Sequence, residues 1–411
     1  MAASGKARPR LRDLVWFALA ALLPLPWIVA HNLEGLGATP ELISVLAGLA
    51  IVGGAFLLSF ATELAERDIP QSMALLVLAL VSVLPEYAVD LHFAWKAGID
   101  ASYAPYAVAN MTGSNRLLIG FGWALVAVIG SYKTRKKDLV LDPRQGLELR
   151  FLLLATVYSF FIPLDGTISL FDGGFLLLIF GLYVVRAMQG GADEVELRGP
   201  PALIDNEFGN LGRRVWSLAL FSFAAYAIYV SAEPFAEGLV HVGRNHGYDE
   251  FLLVQWLAPL ASESPEFLIA VLFAWKGRAS VGIGALVSSK VNQWTLLVGA
   301  IPVAYAISSH GLHGLPLDAR QTEELVLTSA QSLLATILIA DMRFGRNEGL
   351  LLGTLFLAQL FFPNPEVRWG FTFVYLLISL ALLLRASSGR RRAFFALLRP
   401  AGFFPRLSGR G

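Results

Sequence analysis

The sequence predicts an all-α, polytopic membrane protein of about twelve transmembrane helices, built as two inverted five-helix repeats with one extra helix at each end. Three observations predict it. Hydrophobic residues fill 56% of the 411 positions and mean hydropathy is +0.61, which leaves a soluble chain too little polar surface to cover its core. Charged residues make up only 15% and cluster between long apolar runs. Two stretches of sequence recur, in order, 180 and 176 positions downstream.

Taken in order, apolar segments of spanning length lie near 13–31, 41–63, 71–95, 104–130, 148–164, 167–188, 214–234, 250–275, 280–307, 322–341, 347–363 and 367–385. Helices are the expected form, because backbone groups in lipid must be satisfied within the segment and these runs are too long and unalternating for a barrel. The first segment follows a basic stretch, as a cleaved signal peptide would, but its apolar run is long for one, so it is expected to stay as a span. Twelve spans put both termini on one side. With the N-terminus cytoplasmic, 26 of the 32 Lys and Arg fall inside, four outside, and two (Arg116 and Lys290) within spans. That asymmetry is the positive-inside pattern and predicts a multi-pass protein of the cell membrane with both termini cytoplasmic.

The internal repeat sets the organisation. PEYAVDLHFAWKAG at 85–98 and PEFLIAVLFAWKGR at 265–278 share Pro85/Pro265, Glu86/Glu266, Phe93/Phe273, Ala94/Ala274, Trp95/Trp275 and Lys96/Lys276. LDPRQGLEL at 141–149 recurs as LDARQTEEL at 317–325. Shared membrane composition explains Leu and Ala matches but not Pro-Glu, Trp-Lys or Arg-Gln pairs. The chain therefore divides into a basic segment and extra helix (1–40), a first repeat (41–188), a hydrophilic cytoplasmic linker (189–213), a second repeat (214–363), and an extra helix with a basic tail (364–411). Five spans per copy invert the second copy, an architecture that places a ligand site near midplane where the copies meet.

Several functions are excluded or unsupported. There is no cysteine, hence no disulfide or thiolate chemistry. The six His residues show no close ligand spacing, and basic residues lie in loops and tails rather than on one nucleic-acid-binding face. No His-Glu-x-x-His, Gly-x-Ser-x-Gly or phosphate-binding glycine loop is present, so no enzyme is expected. The expected partners are the bilayer and small cations such as Ca2+, Na+ or H+, carried as substrates, with no resident cofactor.

Carboxylates within apolar spans are costly and usually face a cavity or a partner. Glu86 and Glu266 occupy equivalent mid-span positions, each directly after a proline, which removes a backbone donor and frees a carbonyl one turn earlier. Free carbonyls beside a carboxylate form the oxygen-rich setting that hard cations take. A lone Glu there could be a protonated cap on a kink, but a symmetric Pro-Glu pair points to a cation site. Downstream, each copy has a small, polar segment: Asn110-Met111-Thr112-Gly113-Ser114-Asn115, and Gly284 to Gln293, which contains Ser288, Ser289, Lys290 and Asn292. Packing alone accounts for small residues; Asn and Ser could also supply ligands. Glu63, Glu66, Glu233 and Glu237, near the ends of the first span of each copy, read as interfacial caps, and His92 falls on a different helix face from Asp90.

Pro-Glu followed by Asn-x-x-Gly-Ser-Asn resembles the α-repeats of the sodium/calcium exchanger (cation/Ca2+ antiporter) superfamily, over about three quarters of the chain. The first copy, with Leu84-Pro85-Glu86 and Asn110 to Asn115, is a good match; the second, with Ser262-Glu263-Ser264-Pro265-Glu266 and Gly284 to Lys290, is degenerate. The resemblance implies two broken helices, alternating access, and exchange of Na+ or H+ against Ca2+. It implies Glu86 and Glu266 as central ligands, with Ser82, Ser262, Ser114 and Ser289 at hydroxyl-bearing positions; Asn110 and Asn115 of the polar segment and the added carboxylate Glu263 are further candidate ligands. The departures are specific. Val81-Ser82-Val83 replaces the family's Gly-Thr-Ser, Glu263 replaces a hydroxyl, Lys290 replaces an asparagine, and Leu118 and Gln293 stand where Asn or Asp is common.

Lys290 and Arg116 divide the readings. Near the glutamates, a fixed cation would take up part of the site's charge balance, with Asp90 and Glu263 as compensating anions. The chain would then be a proton-coupled or divergent monovalent-cation exchanger with Lys290 as a tethered cation. Away from the glutamates, both would pair structurally. A non-transporting membrane protein on an exchanger fold is the remaining alternative.

Overall fold

The computed structural model describes residues 11–33, 39–68, 84–189, 197, 199–360, 362, 364–385, 388–399 and 403. In chain order the helices are α1 (Leu11–Leu22), α2 (Leu25–Asn32), α3 (Pro40–Glu66), α4 (Leu84–Ile99), α5 (Ala104–Leu117), α6 (Ala124–Thr134), α7 (Gly146–Ser159), α8 (Leu170–Met188), α9 (Pro200–His246), α10 (Glu250–Ser262), α11 (Ser264–Trp275), α12 (Ala279–Asn292), α13 (Val298–Ser308), α14 (Ala319–Ile339), α15 (Arg346–Leu360), α16 (Pro365–Arg385) and α17 (Ser388–Leu397). The chain is thus a nearly all-helical, multi-pass membrane protein. Among the described residues, nine helical stretches are long and apolar enough to cross a membrane, or ten when α10 and α11, bent by 58° at a short break, form one span. The other two segments of the expected twelve correspond to α4, preceded by residues 69–83 that lie outside the described set, and to α15, which has only 15 residues.

Local chemistry explains where helices begin. Thr39 caps α3 ahead of Pro40. Ser169 and Asp172 form a reciprocal capping box on α8, with Ser169 N donating to Asp172 Oδ2 at 2.8 Å. The Leu-Asp-x-Arg-Gln repeat is also a cap: the carboxylates of Asp142 and Asp318 accept from Arg144 N and Gln321 N, at 2.9 and 2.8 Å.

Two compact units emerge. The first comprises residues 1–89, 191–250 and 261–265. Its centre is the packing of α3 against α9, with Leu57, Leu58, Ala61 and Leu64 buried against Ile204, Leu220, Ala224 and Ile228. The helices approach closely at Gly238, where a Cβ would lie 2.0 Å from Ser44 Oγ. The hydrophilic stretch read as a linker is helical from Pro200, prolines being suited to a first turn. The helix breaks at Gly209 (φ 64°, ψ −166°), a conformation only glycine adopts freely, and resumes through 246. At this break Arg213 grips Asp68 through two bonds of 2.8 and 2.9 Å and Asp205 at 2.6 Å, while Arg214 adds a third bond to Asp68 at 2.8 Å. The Arg213 hydrogen bonds, outweighing burial and helped by Arg214, hold the Asp68 carboxyl at about 2, below its ordinary 3.8.

The second unit comprises residues 90–190, 251–260 and 266–411. Two of its spans share one irregularity. A π-helical turn at Leu118–Trp123 joins α5 to α6, and another at Gln293–Leu297 joins α12 to α13. Each π turn packs against the leading helix of the other span. Short antiparallel strands join the two halves of the sequence. Strand β1 (Asp138–Val140) pairs with β4 (Arg343–Gly345), and β2 (Thr167–Ile168) pairs with β3 (Leu315–Pro316). Exchanging the halves, with the 176-residue offset, maps one pair onto the other. Gly113 marks a tight helix contact: a Cβ there would sit 1.8 Å from the Gln255 carbonyl oxygen.

Candidate cation site

The two Pro-Glu motifs start helices. Glu86 is the third residue of α4 and Glu266 the third of α11. The first four N–H groups of a helix lack intrahelical partners and make that end favourable for a carboxylate. Glu86 is 3% exposed; Glu266 is partly buried. The second copy shows the expected interruption in full. α10 ends at Ser262, the chain turns at Glu263, and α11 begins just before Pro265, with Ser262 and Glu263 both buried. Ser82 lies outside the described residues, so the corresponding break in the first copy is not described.

The polar segment of α5 is buried along its length, with Asn110, Thr112, Ser114 and Asn115 all 0% exposed. Asn110 Nδ2 donates to Asp90 Oδ1 at 2.8 Å, joining two of the expected site residues across 20 positions. Ser114 Oγ is buried and has no hydrogen-bond partner among the described residues. Ser289, in α12, is partly buried. Lys290 is fully buried; its Nζ donates to the Asn115 side-chain oxygen at 2.6 Å and to the Asn115 backbone oxygen at 3.0 Å. The same ammonium lies 4.6 Å from the centroid of Trp294.

Arg116 has a different setting. Its guanidinium pairs with Glu324 of α14 and lies 5.0 Å from the Trp256 ring, and its backbone oxygen accepts from Gln331 Nε2 at 3.2 Å. Gln255 Nε2 donates to Glu324 at 3.0 Å and Arg368 donates to Glu323 at 2.8 Å, which ties α16 to the same cluster. Arg116, Glu324 and Arg368 are each less than 9% exposed. The counter-ion of Arg116 is therefore Glu324, a residue that the sequence reading does not single out. The available signal was the second repeat match, which aligns Glu324 with Glu148, together with the need of an intramembrane arginine for an anion.

Residues 41–189 and 216–363 match the sodium/calcium exchanger protein family, which covers well over half of the chain. The chain belongs to that family. The crystal structure of the H+/Ca2+ exchanger CAX superposes on this exchanger-family chain with a TM-score of 0.89 at 43% sequence identity, covering 95% of this chain and 97% of that one. The sodium-calcium exchanger NCX_Mj, soaked with Na+ and Sr2+, shares the fold with a TM-score of 0.52 at 19% identity, over 82% of this chain and 97% of that one. The putative antiporter CaxA of Alkalimonas amylolytica is 26% identical, covering 38% of this chain and 54% of CaxA, so the match spans about half the length of that relative. Within the family frame, the resemblance read from Pro-Glu and Asn-x-x-Gly-Ser-Asn is correct.

Proposed function

We propose that the chain is a secondary-active antiporter that exchanges Ca2+ against H+ or Na+ by alternating access around Glu86 and Glu266. The observation that carries this reading is the near full-length likeness, at 43% identity, to a protein named as an H+/Ca2+ exchanger. That likeness favours H+ as the counter-ion, since the likeness to the sodium-calcium exchanger, at 19% identity, speaks for fold alone. Physical chemistry supports the glutamates. Both follow a proline, both start a helix, and both place at least one carboxylate oxygen out of solvent reach. A buried carboxylate in a span is costly unless it meets a cation or a proton, and a carrier alternates between those two. In this reading Ser262, Glu263, Asn110, Ser114, Asn115 and Ser289 act as further oxygen ligands or their supports. Twelve spans with both termini cytoplasmic would put the site near midplane of the cell membrane.

The test is uptake of radiolabelled Ca2+ into everted vesicles, driven in turn by a pH gradient and by a Na+ gradient. Uptake should follow the pH gradient. Glu86→Gln and Glu266→Gln should each lower it by more than tenfold while the proteins still reach the membrane. Unchanged uptake in both variants would remove the glutamates from the mechanism, and absence of uptake in wild type under either gradient would favour a non-transporting role.

A further inference from the structure

We propose that α17, with its exposed arginines and apolar side chains, is a docking surface for anionic phospholipid headgroups at the membrane boundary. The proposal goes beyond the transport reading and does not rest on it.

Three observations carry it. First, the span before the helix sets its place. α16 ends at Arg385 and α17 starts at Ser388, three Cα steps later, a reach of at most about 11 Å. Ten residues make a helix of about 15 Å, half of the roughly 30 Å hydrocarbon core, and Arg390, Arg391 and Arg392 sit in its first half. α17 therefore does not cross the bilayer. Second, the helix has two distinct faces. One is fastened to the bundle: Phe394 and Leu397 are buried, and Arg390 donates to Asp341 at 3.1 Å and to Glu348 at 2.6 Å. Past the helix end, Arg150 Nη1 of α7 donates to the Arg399 carbonyl oxygen at 2.9 Å, and the Phe403 ring meets Phe151 edge-on, 5.6 Å between centroids. The other face is exposed. It presents Arg391, Phe395 and Leu398 at i, i+4 and i+7, beside Arg392 and Arg399. Guanidiniums interleaved with an aromatic ring and a leucine suit the boundary between headgroups and acyl chains. A soluble acidic partner would leave Phe395 and Leu398 unused. Third, the charge is one-sided. From 385 to 411 the sequence has seven arginines and no lysine, aspartate or glutamate. Asp341 and Glu348 are engaged by Arg390 on the bundle side, and Arg391 and Arg399 form no ion pair among the described residues.

A headgroup held by Arg391 sits one residue from Arg390. It is thereby coupled to the start of α15 and to the loop before it.

The test is lipid selectivity at the surface of the helix. The chain has no cysteine, so a single introduced one can carry a fluorophore. Phe395→Cys marks the proposed surface. Leu377→Cys, exposed midway along α16, marks ordinary lipid contact. Full-length protein is reconstituted in phosphatidylcholine vesicles with a minor share of brominated phosphatidylglycerol, or with the same share of brominated phosphatidylcholine. Bromine quenches the label by contact. At Phe395→Cys, quenching should report phosphatidylglycerol enriched about fivefold over its bulk share, and less at high salt. At Leu377→Cys the two lipids should quench alike. Adding Arg391→Gln and Arg399→Gln should bring Phe395→Cys down to the bulk share with the melting temperature in detergent unchanged, whereas Arg391→Lys with Arg399→Lys should keep the enrichment. Equal quenching by both lipids at Phe395→Cys overturns the proposal, and so does enrichment that survives the glutamine pair. No quenching by either lipid would overturn it by placing that face in water, open to an acidic protein. Displacement of the lipid by glycerol phosphate in the aqueous phase would overturn it in favour of a free phosphate site.

Discussion

Arg116 directly follows Asn115 in the chain, and Lys290 donates to Asn115, so two buried cations are tied to consecutive positions of α5. Their contacts differ in kind. Arg116 meets Glu324, a full negative charge 208 residues away in sequence, within a cluster that also takes in Gln255 and Arg368. Lys290 donates to the side-chain and backbone oxygens of Asn115. A guanidinium with a carboxylate is a closed, bidentate-capable arrangement that favours one geometry. An ammonium on carbonyl oxygens is a point charge on a flexible stem with rotatable donors. The comparison separates scaffold from site: the arginine fastens α5 to α14, while the lysine spans the two segments that carry the candidate ligands.

The largest effect should come from breaking the fastened pair. Arg116→Met leaves Glu324 buried with only Gln255 and the more distant Arg368, and should cost about 3 kcal/mol of stability, the lower end of the range for half-broken buried pairs. Thermal melting in detergent reads this, and a compensating Glu324→Gln should recover most of the loss. Lys290→Met removes the two hydrogen bonds to Asn115 and should cost less, about 1–2 kcal/mol. If the two losses came out in the reverse order, the assignment of arginine to scaffold and lysine to site would be wrong. The caps sharpen the same comparison on equivalent positions. Asp142→Ala and Asp318→Ala each remove one N-cap bond of nearly equal length and should each cost about 1 kcal/mol. Markedly unequal losses would mean that the two halves do not share this element energetically.

A pH-dependent effect concerns Asp68, an ion-paired carboxylate at the edge of the first unit rather than inside a span. Its folded-state pKa is depressed from 3.8 to about 2, so its stabilisation is complete above about 4 and is lost as pH falls toward 2. The stability gap between wild type and Asp68→Asn should therefore be constant from pH 8 to about 5 and shrink below about 4. A gap that stayed constant down to pH 2 would show that the carboxyl is not held by Arg213.

Fold class and family were legible because they rest on properties that sequence displays directly: apolar length, charge asymmetry and short motifs. The break at Glu263 was legible too, since Pro265 cannot continue the ladder of the preceding helix. Three features were not. The Arg116–Glu324 pair joins residues that no local spacing relates. The helix from Pro200 was masked by its polarity, although two prolines at its start and the buried Ile204 were a signal. The π turns follow no residue pattern in the second span; in the first, Gly120 and Gly122 hint at them by letting Phe356 and Phe267 approach.

The paired strands carry one more implication. β1 and β2 flank α7, β3 and β4 flank α14, and every ladder joins the first matched stretch to the second. A lone half of this protein would carry a raw backbone edge at each end of that helix. The other stretch supplies a complementary strand to each of those edges, so the pairing of the two stretches is written into the loops as well as into the bundle they enclose.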